Sequence, residues 1–257
     1  MRWVFLFLLS IGVACADDGR WVFSTGVDYT NGDYGEAQDT TIITAPFSAG
    51  YVGEGWSVTA VVPIVSVEGP GTIVPGGLSG GPLGGLLGGA EAAAPIGGVD
   101  ATGLGDVSLS ASVVPVKLEG GTEVSLNGRV RFATADASKR LGTGESSVAV
   151  GGGVRQAIGA RSAVFGSVGY EQAFESGGGG VIAGVGAETY VAERVIAGGT
   201  LDFSQTTSDL RRDSSQAGAY VGFDVGSSTR LLAYGSAGLS ETSPDVGAGL
   251  RLVFATE

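Results

Sequence analysis

The residues with chemistry to offer are arginines, acids and tyrosines at even spacing inside extended segments: Asp28, Arg129, Arg131, Arg155, Tyr170, Glu188, Tyr190, Asp202, Tyr220, Asp224, Arg230, Tyr234 and Arg251. Side chains of both signs facing one confined space create a fixed field that orients and screens polar solutes. The tyrosines would add a track on which aromatic solutes stack. The plainer reading is that all of them line a water-filled interior and bridge neighbouring strands, with Asp224 and Arg230 flanking one turn closely enough to pair.

Composition excludes most other chemistry. The 257 residues contain no histidine, which removes imidazole acid–base catalysis, histidine-dependent nucleophiles and imidazole metal sites together. The single cysteine, Cys15, leaves no disulfide and no thiolate cluster. Asp209 and Asp213 share a loop with Arg211 and Arg212, where solvated charge is the default. The expectation is a protein that is not an enzyme and needs no cofactor or metal. A formal charge of -12, from 14 basic and 26 acidic residues, would repel a nucleic acid.

Something must bring the charged residues to one face, and the hydrophobic pattern supplies it. Apolar residues alternate with small or polar ones, residue by residue, in segments of about ten, which is the period of a strand. Val124, Leu126, Val130 and Phe132 oppose Glu123, Ser125, Asn127, Arg129 and Arg131 in the clearest case. Twelve such segments can be drawn between Trp21 and Phe254. Trp21, Phe23, Phe47, Trp56, Phe132, Phe165, Phe203, Phe223 and Phe254 fall on the apolar face and are expected to meet lipid; the charged set and its tyrosines fall on the other. A dry sandwich core holding that many charges would cost several kcal/mol per unpaired ion. A hydrated interior removes the difficulty, and ten residues tilted near 45° cover roughly 23 Å, the apolar height of a membrane barrel. Pro46, Pro63 and Pro115 interrupt the pattern, because each deletes a ladder donor. The stretch 163–170 is apolar on both faces, so its register is the hardest to read.

The connections alternate in length, short on one rim and long on the other. The expected fold is therefore all-β: a transmembrane, antiparallel, up-and-down barrel of about 12 strands with short periplasmic turns and long extracellular loops. A soluble sandwich or β-helix is the competing architecture. The longest loop, 68–105, is rich in Gly, Pro and Leu; it reads either as an apolar flap folded into the mouth or as a flexible surface loop. Residues 1–16 read as a secretory signal peptide, with Ala14 and Ala16 in a small-x-small cleavage pattern, which leaves 17–257 as the barrel domain. Lipidation at Cys15 is the alternative, although Gly12 stands where that signal prefers a large aliphatic residue.

Gly103-Leu104-Gly105-Asp106, then Arg129-Val130-Arg131-Phe132-Ala133-Thr134, then Leu141-Gly142-Thr143-Gly144-Glu145 resemble the outer-membrane barrels of the meta-pathway phenol-degradation, transporter-like family. Ala133 stands where that family usually has proline, and Phe254 is followed by Ala255-Thr256-Glu257 instead of closing the chain. The resemblance implies an outer-membrane barrel with a transport role, often linked to aromatic or apolar compounds. From the residues themselves, Gly142 and Gly144 are expected to supply the positive φ angles of a tight turn. The sequence thus leads to a monomeric channel in a Gram-negative outer membrane, inserted by the barrel-insertion machinery, that passes or binds small solutes, apolar or aromatic ones among them. The alternative is a non-conducting structural or adhesive protein whose surface loops bind a partner.

Overall fold

Alternating β-branched, aromatic and small residues favour a pleated surface half in contact with an apolar phase, and strands form wherever the alternation runs. The computed structural model describes residues 19–70, 73–77, 89–92, 99–206 and 213–256. The expected signal peptide and residues 71–72, 78–88 and 93–98 of the longest loop lie outside them. The strands are β1 (Arg20–Gly32), β2 (Thr40–Gly53), β3 (Trp56–Gly69), β4 (Ile73–Gly77), β5 (Gly89–Ala92), β6 (Val99–Leu104), β7 (Val107–Leu118), β8 (Thr122–Phe132), β9 (Ser147–Ile158), β10 (Ser162–Ala173), β11 (Gly179–Ala192), β12 (Val195–Thr206), β13 (Ser214–Val225), β14 (Thr229–Gly238) and β15 (Val246–Ala255).

Each barrel strand pairs antiparallel with its chain neighbour, and β1 pairs with both β2 and β15, so the sheet closes on itself. β6 and β7 both pair with β3 and form one stave, which makes the barrel twelve-stranded. Between them the register shifts by one residue, from Ile64 opposite Leu104 to Val61 opposite Ser108. This bulge leaves both Gly105 and Asp106 buried. The connections sort as expected: 54–55, 119–121, 159–161, 193–194 and 226–228 on one rim, and 33–39, 70–98, 133–146, 174–178, 207–213 and 239–245 on the other. Gly55, with a φ of +73°, lets Gly53 and Trp56 pair across a two-residue turn.

One expectation changes here. The longest loop is not structureless throughout, because β3 and β6 pair as far as Gly69 opposite Val99, and β4 pairs with β5 in a separate hairpin. Backbone pairing does not need the side-chain alternation that the glycine-rich sequence lacks. The three prolines also find places. Pro46 and Pro63 stand directly opposite each other, and Pro115 lies in the register shift between Val113 and Val116.

The barrel is inside-out relative to a soluble protein. Trp21, Phe23, Phe47, Trp56, Phe132, Phe203, Phe223 and Phe254 are between 42% and 51% exposed on the outer surface, among many exposed valines and leucines. Near the short-turn rim, Trp21 packs edge-on against Tyr51 at 5.4 Å, and Tyr51 lies 5.7 Å from Trp56. Such an aromatic girdle suits the boundary between acyl chains and headgroups.

Phe165 and Tyr170 are exchanged relative to the sequence reading. Phe165 is only 8% exposed and turns inward over Gly186, whereas Tyr170 is 42% exposed on the outer face. A shift of one residue flips every side chain of a strand. The frame of β10 is set instead by Ala163, Glu171 and Ala173, all 1% exposed or less.

Candidate functional site

The barrel interior collects the polar side chains into compensated groups. Arg129 and Arg131 reach inward from β8, two residues apart and near the long-loop end. Arg129 Nη2 donates to Glu171 Oε2 at 2.8 Å, Arg131 Nη2 lies 3.2 Å from Glu171 Oε1, and the Ser147 hydroxyl donates to the same oxygen at 2.7 Å. Glu171 is fully buried. It is the residue that sequence reasoning missed, because the face of 163–170 was assigned the wrong way round. Its own charge was the signal that could have corrected the frame.

A second group forms nearer the short turns. Arg155 Nη2 donates to Glu188 Oε1 at 2.8 Å, and the Tyr220 hydroxyl donates to Glu188 Oε2 at 2.8 Å. Arg230 pairs with Asp224 across the β13–β14 turn and donates from Nη2 to the Tyr190 hydroxyl at 3.1 Å. On the β15–β1 side, Arg251 Nη2 donates to Asp28 Oδ2 at 3.3 Å. Asp202 on β12 accepts a hydrogen bond from the Thr200 hydroxyl at 3.0 Å.

Cross-strand glycines give the interior aromatics room to lie flat. A Cβ at Gly198 would come within 2.3 Å of Tyr220 Cζ, and one at Gly249 within 2.4 Å of Tyr234 Cζ. Tyr220 and Tyr234 are themselves opposite each other on β13 and β14. The glycine content of these strands thus has a packing reason: bare backbone accepts an aromatic face where a side chain would not fit.

The opposite wall differs. Strands β2, β3 and β7 turn Thr, Ser, Val, Ile and Pro inward, including Thr44, Pro46, Thr59, Val61, Ser108 and Ser110, with no charged side chain inward between the rims among the described residues. The interior is therefore two-walled, with ion pairs on one side and a neutral surface of hydroxyls and aliphatic groups on the other.

Above the neutral wall, at the long-loop rim, Tyr34, Ile42, Val65, Val67, Ile73 and Leu141 pack into a buried apolar cluster. Burial raises the Tyr34 hydroxyl pKa to about 12, and that hydroxyl donates to Thr30 Oγ1 at 3.1 Å. Leu141 is carried there by loop 133–146, which is anchored on Asp106. Asp106 Oδ1 accepts from the Ala135 amide at 3.0 Å; Oδ2 accepts from the Thr143 amide at 3.0 Å and from its hydroxyl at 3.3 Å. The glycines of the flanking motifs follow from this packing. A Cβ at Gly103 would meet Leu141 at 2.8 Å, one at Gly105 would meet Val65 at 2.7 Å, and one at Gly142 would meet Asp106 at 2.6 Å. Gly144 has the expected positive φ, +72°, but Gly142 does not and is required by close approach instead.

The inward set thus brings together Arg129, Arg131, Arg155, Glu188, Tyr190, Tyr220, Asp224 and Arg230 in bonded groups, and Asp28 with Arg251. Tyr234 and Asp202 are buried apart from any arginine partner among the described residues. Among those residues no cluster of three histidine, cysteine or acidic side chains could hold a metal.

Comparison with known proteins places this geometry among outer-membrane barrels. The chain is similar in structure to an outer membrane channel from Pseudomonas putida F1, with a TM-score of 0.67, 13% identity, and coverage of 94% of this chain and 97% of that one. The porin NanC follows at a TM-score of 0.53, with 8% identity over 91% of this chain and 98% of that chain. The β domain of the Bordetella autotransporter BrkA reaches a TM-score of 0.52, with 14% identity over 93% of this chain and 99% of that chain. No protein-family model and no curated protein matches the sequence. The fold is that of a twelve-stranded outer-membrane barrel.

Proposed function

We propose that this chain is a monomeric outer-membrane channel, exported by its leader and inserted by the barrel machinery, for passive passage or binding of small solutes. The reading rests above all on the two-walled interior. A charged wall facing a neutral one accommodates a solute with an apolar or aromatic body and a polar group, since each half meets its own kind of surface. The apolar cluster around Leu141 lies at the rim that would face outward, where such a solute would enter. The resemblance of the 103–106 and 141–145 motifs to the meta-pathway phenol-degradation barrels points the same way. So does the shared fold with channels from other outer membranes. In this reading the exposed tryptophans and phenylalanines contact lipid, the inward charged residues line the pathway, and no catalytic step is involved.

A second reading has its own observation. Glu171, Tyr220 and Tyr234 are at most 6% exposed, so parts of the interior are densely filled around them. A barrel closed at that level would be a scaffold whose loops bind a partner. Reconstitution into planar bilayers separates the two. Steady ohmic steps that fall when an aromatic acid is added support the channel, and correctly inserted protein that passes no current supports the scaffold.

A further inference from the structure

Along the inner face of the strands, acidic side chains come with cationic partners: Glu171 with Arg129 and Arg131, Glu188 with Arg155, Asp224 with Arg230, Asp28 with Arg251 and, at the short-turn rim, Glu123 with Lys117. Asp202 departs from that rule. It is 8% exposed, and among the described residues no arginine or lysine stands within ion-pair distance of it. Its Oδ2 accepts from Thr200, while its Oδ1 has no hydrogen-bond partner. Asp28 also leaves one oxygen unpartnered, but Arg251 compensates its charge.

Among the described residues the surroundings of Asp202 are oxygen-rich and neutral. Strand β12 turns Thr200, Asp202 and Ser204 to one side, all less than a tenth exposed. The register sets Gly184 of β11 and Gln216 of β13 opposite Asp202 on its two flanks. A carboxylate withdrawn from water either takes up a proton or is held by a counter-charge, and among the described residues none supplies that charge. Divalent ions draw on several carboxylates or many rigid oxygen donors, whereas one carboxylate among hydroxyls and an amide suits a single positive charge.

We propose that Asp202, with Thr200, Ser204 and Gln216 around it, binds a monovalent cation, an alkali ion or an alkylammonium head, inside the barrel and biases passage toward cations. The selectivity half of this proposal rests on the channel reading above; the binding half does not.

Two measurements test it. The first is the reversal potential of single channels in a potassium chloride gradient, for the wild type and for Asp202→Asn and Asp202→Ser. Heat-modifiable electrophoretic mobility serves as the check that each variant is a folded barrel. Wild-type channels should favour potassium, and both variants should lose that preference, their reversal potentials moving toward zero. Ohmic steps with the same reversal potential in all three proteins overturn the proposal. The second is infrared difference spectroscopy of detergent-solubilised wild type against Asp202→Asn, comparing potassium, methylammonium and the bulky N-methylglucamine as sole cation. The wild type should show a carboxylate band, absent from the variant, that shifts with potassium or methylammonium and not with N-methylglucamine. A response to only one of the two small cations identifies the ligand. A protonated-acid band, or a carboxylate band indifferent to all three cations, refutes the site. If no current flows at all, the channel reading falls while the infrared arm still decides the cation site.

Discussion

Removing the Asp106 carboxylate tests how the mouth is built. Asp106→Ala deletes the acceptor of three hydrogen bonds from loop 133–146, two of them at 3.0 Å and one at 3.3 Å. A hydrogen bond to a charged group contributes about 1.5–3 kcal/mol, so losing the two shorter ones weakens the anchor by about 3–6 kcal/mol. At about 1.4 kcal/mol per factor of ten, the released loop becomes about 10²- to 10⁴-fold more populated, until release is complete. The loop carries Lys139 and Arg140, so trypsin reads that population directly. When opening is fast relative to cleavage, the cleavage rate follows the population of the open form. Folded protein in liposomes, with loops outward, should be cut after Lys139 or Arg140 far faster in Asp106→Ala than in the wild type. Thr143→Val removes only the longest of the three bonds to Asp106, together with the hydroxyl's two bonds to the Glu145 backbone within the loop, and should fall between the wild type and Asp106→Ala. Equal rates in Asp106→Ala and wild type would show that the carboxylate does not hold the loop, and the packing argument for Gly103, Gly105 and Gly142 would lose its centre.

Other perturbations reach other parts of the barrel. Glu171→Gln leaves Arg129 and Arg131 facing a neutral amide; breaking a buried ion pair costs about 3–5 kcal/mol, so the heat-modifiability transition should move to lower temperature and the reversal potential toward anions. Gly198→Val drives a side chain into Tyr220, and overpacking of this kind costs about 1–3 kcal/mol; urea unfolding in detergent should show the loss, and Gly198→Val combined with Tyr220→Ala should recover part of it. Val185→Arg places a charge on the outer face of β11, where a residue at the bilayer midplane costs about 2–4 kcal/mol; folding titrations into phospholipid vesicles should show that cost, and none would mean that this face does not meet acyl chains.

Strands with a charged side were legible from the sequence because charge marks the frame. In β8, Glu123, Arg129 and Arg131 leave one possible orientation, and the structure adopts it. In β10 the signal fails, since Val164, Phe165, Val168 and Tyr170 are apolar on both parities, and alternation alone does not choose between them. The one charge of the strand, Glu171, lies just beyond that stretch and marks the inward parity, and the register with β9 and the burial of Glu171 agree with it. Distance along the chain hid the mouth. The 103–106 and 141–145 motifs were visible, but their connection runs from Asp106 to Thr143, across 37 positions and an intervening hairpin. The extension of β6 was hidden for a different reason: its pairing with β3 is made by backbone groups, which composition does not report. The lone position of Asp202 was likewise invisible, because an unpaired acid differs from a paired one only by what stands across the barrel.

The two faces of β7 offer the most direct test of the whole account. Single cysteines at positions 108 to 113, introduced one at a time in a Cys15→Ser background, would be exposed to a water-soluble methanethiosulfonate while current is recorded. Cysteines replacing Ser108, Ser110 and Ser112 should react and reduce the current, and those replacing Leu109, Ala111 and Val113 should stay unreacted. Reaction at both parities, at the opposite parity, or at the predicted positions without any effect on current would contradict a hydrated pathway enclosed by a lipid-facing wall.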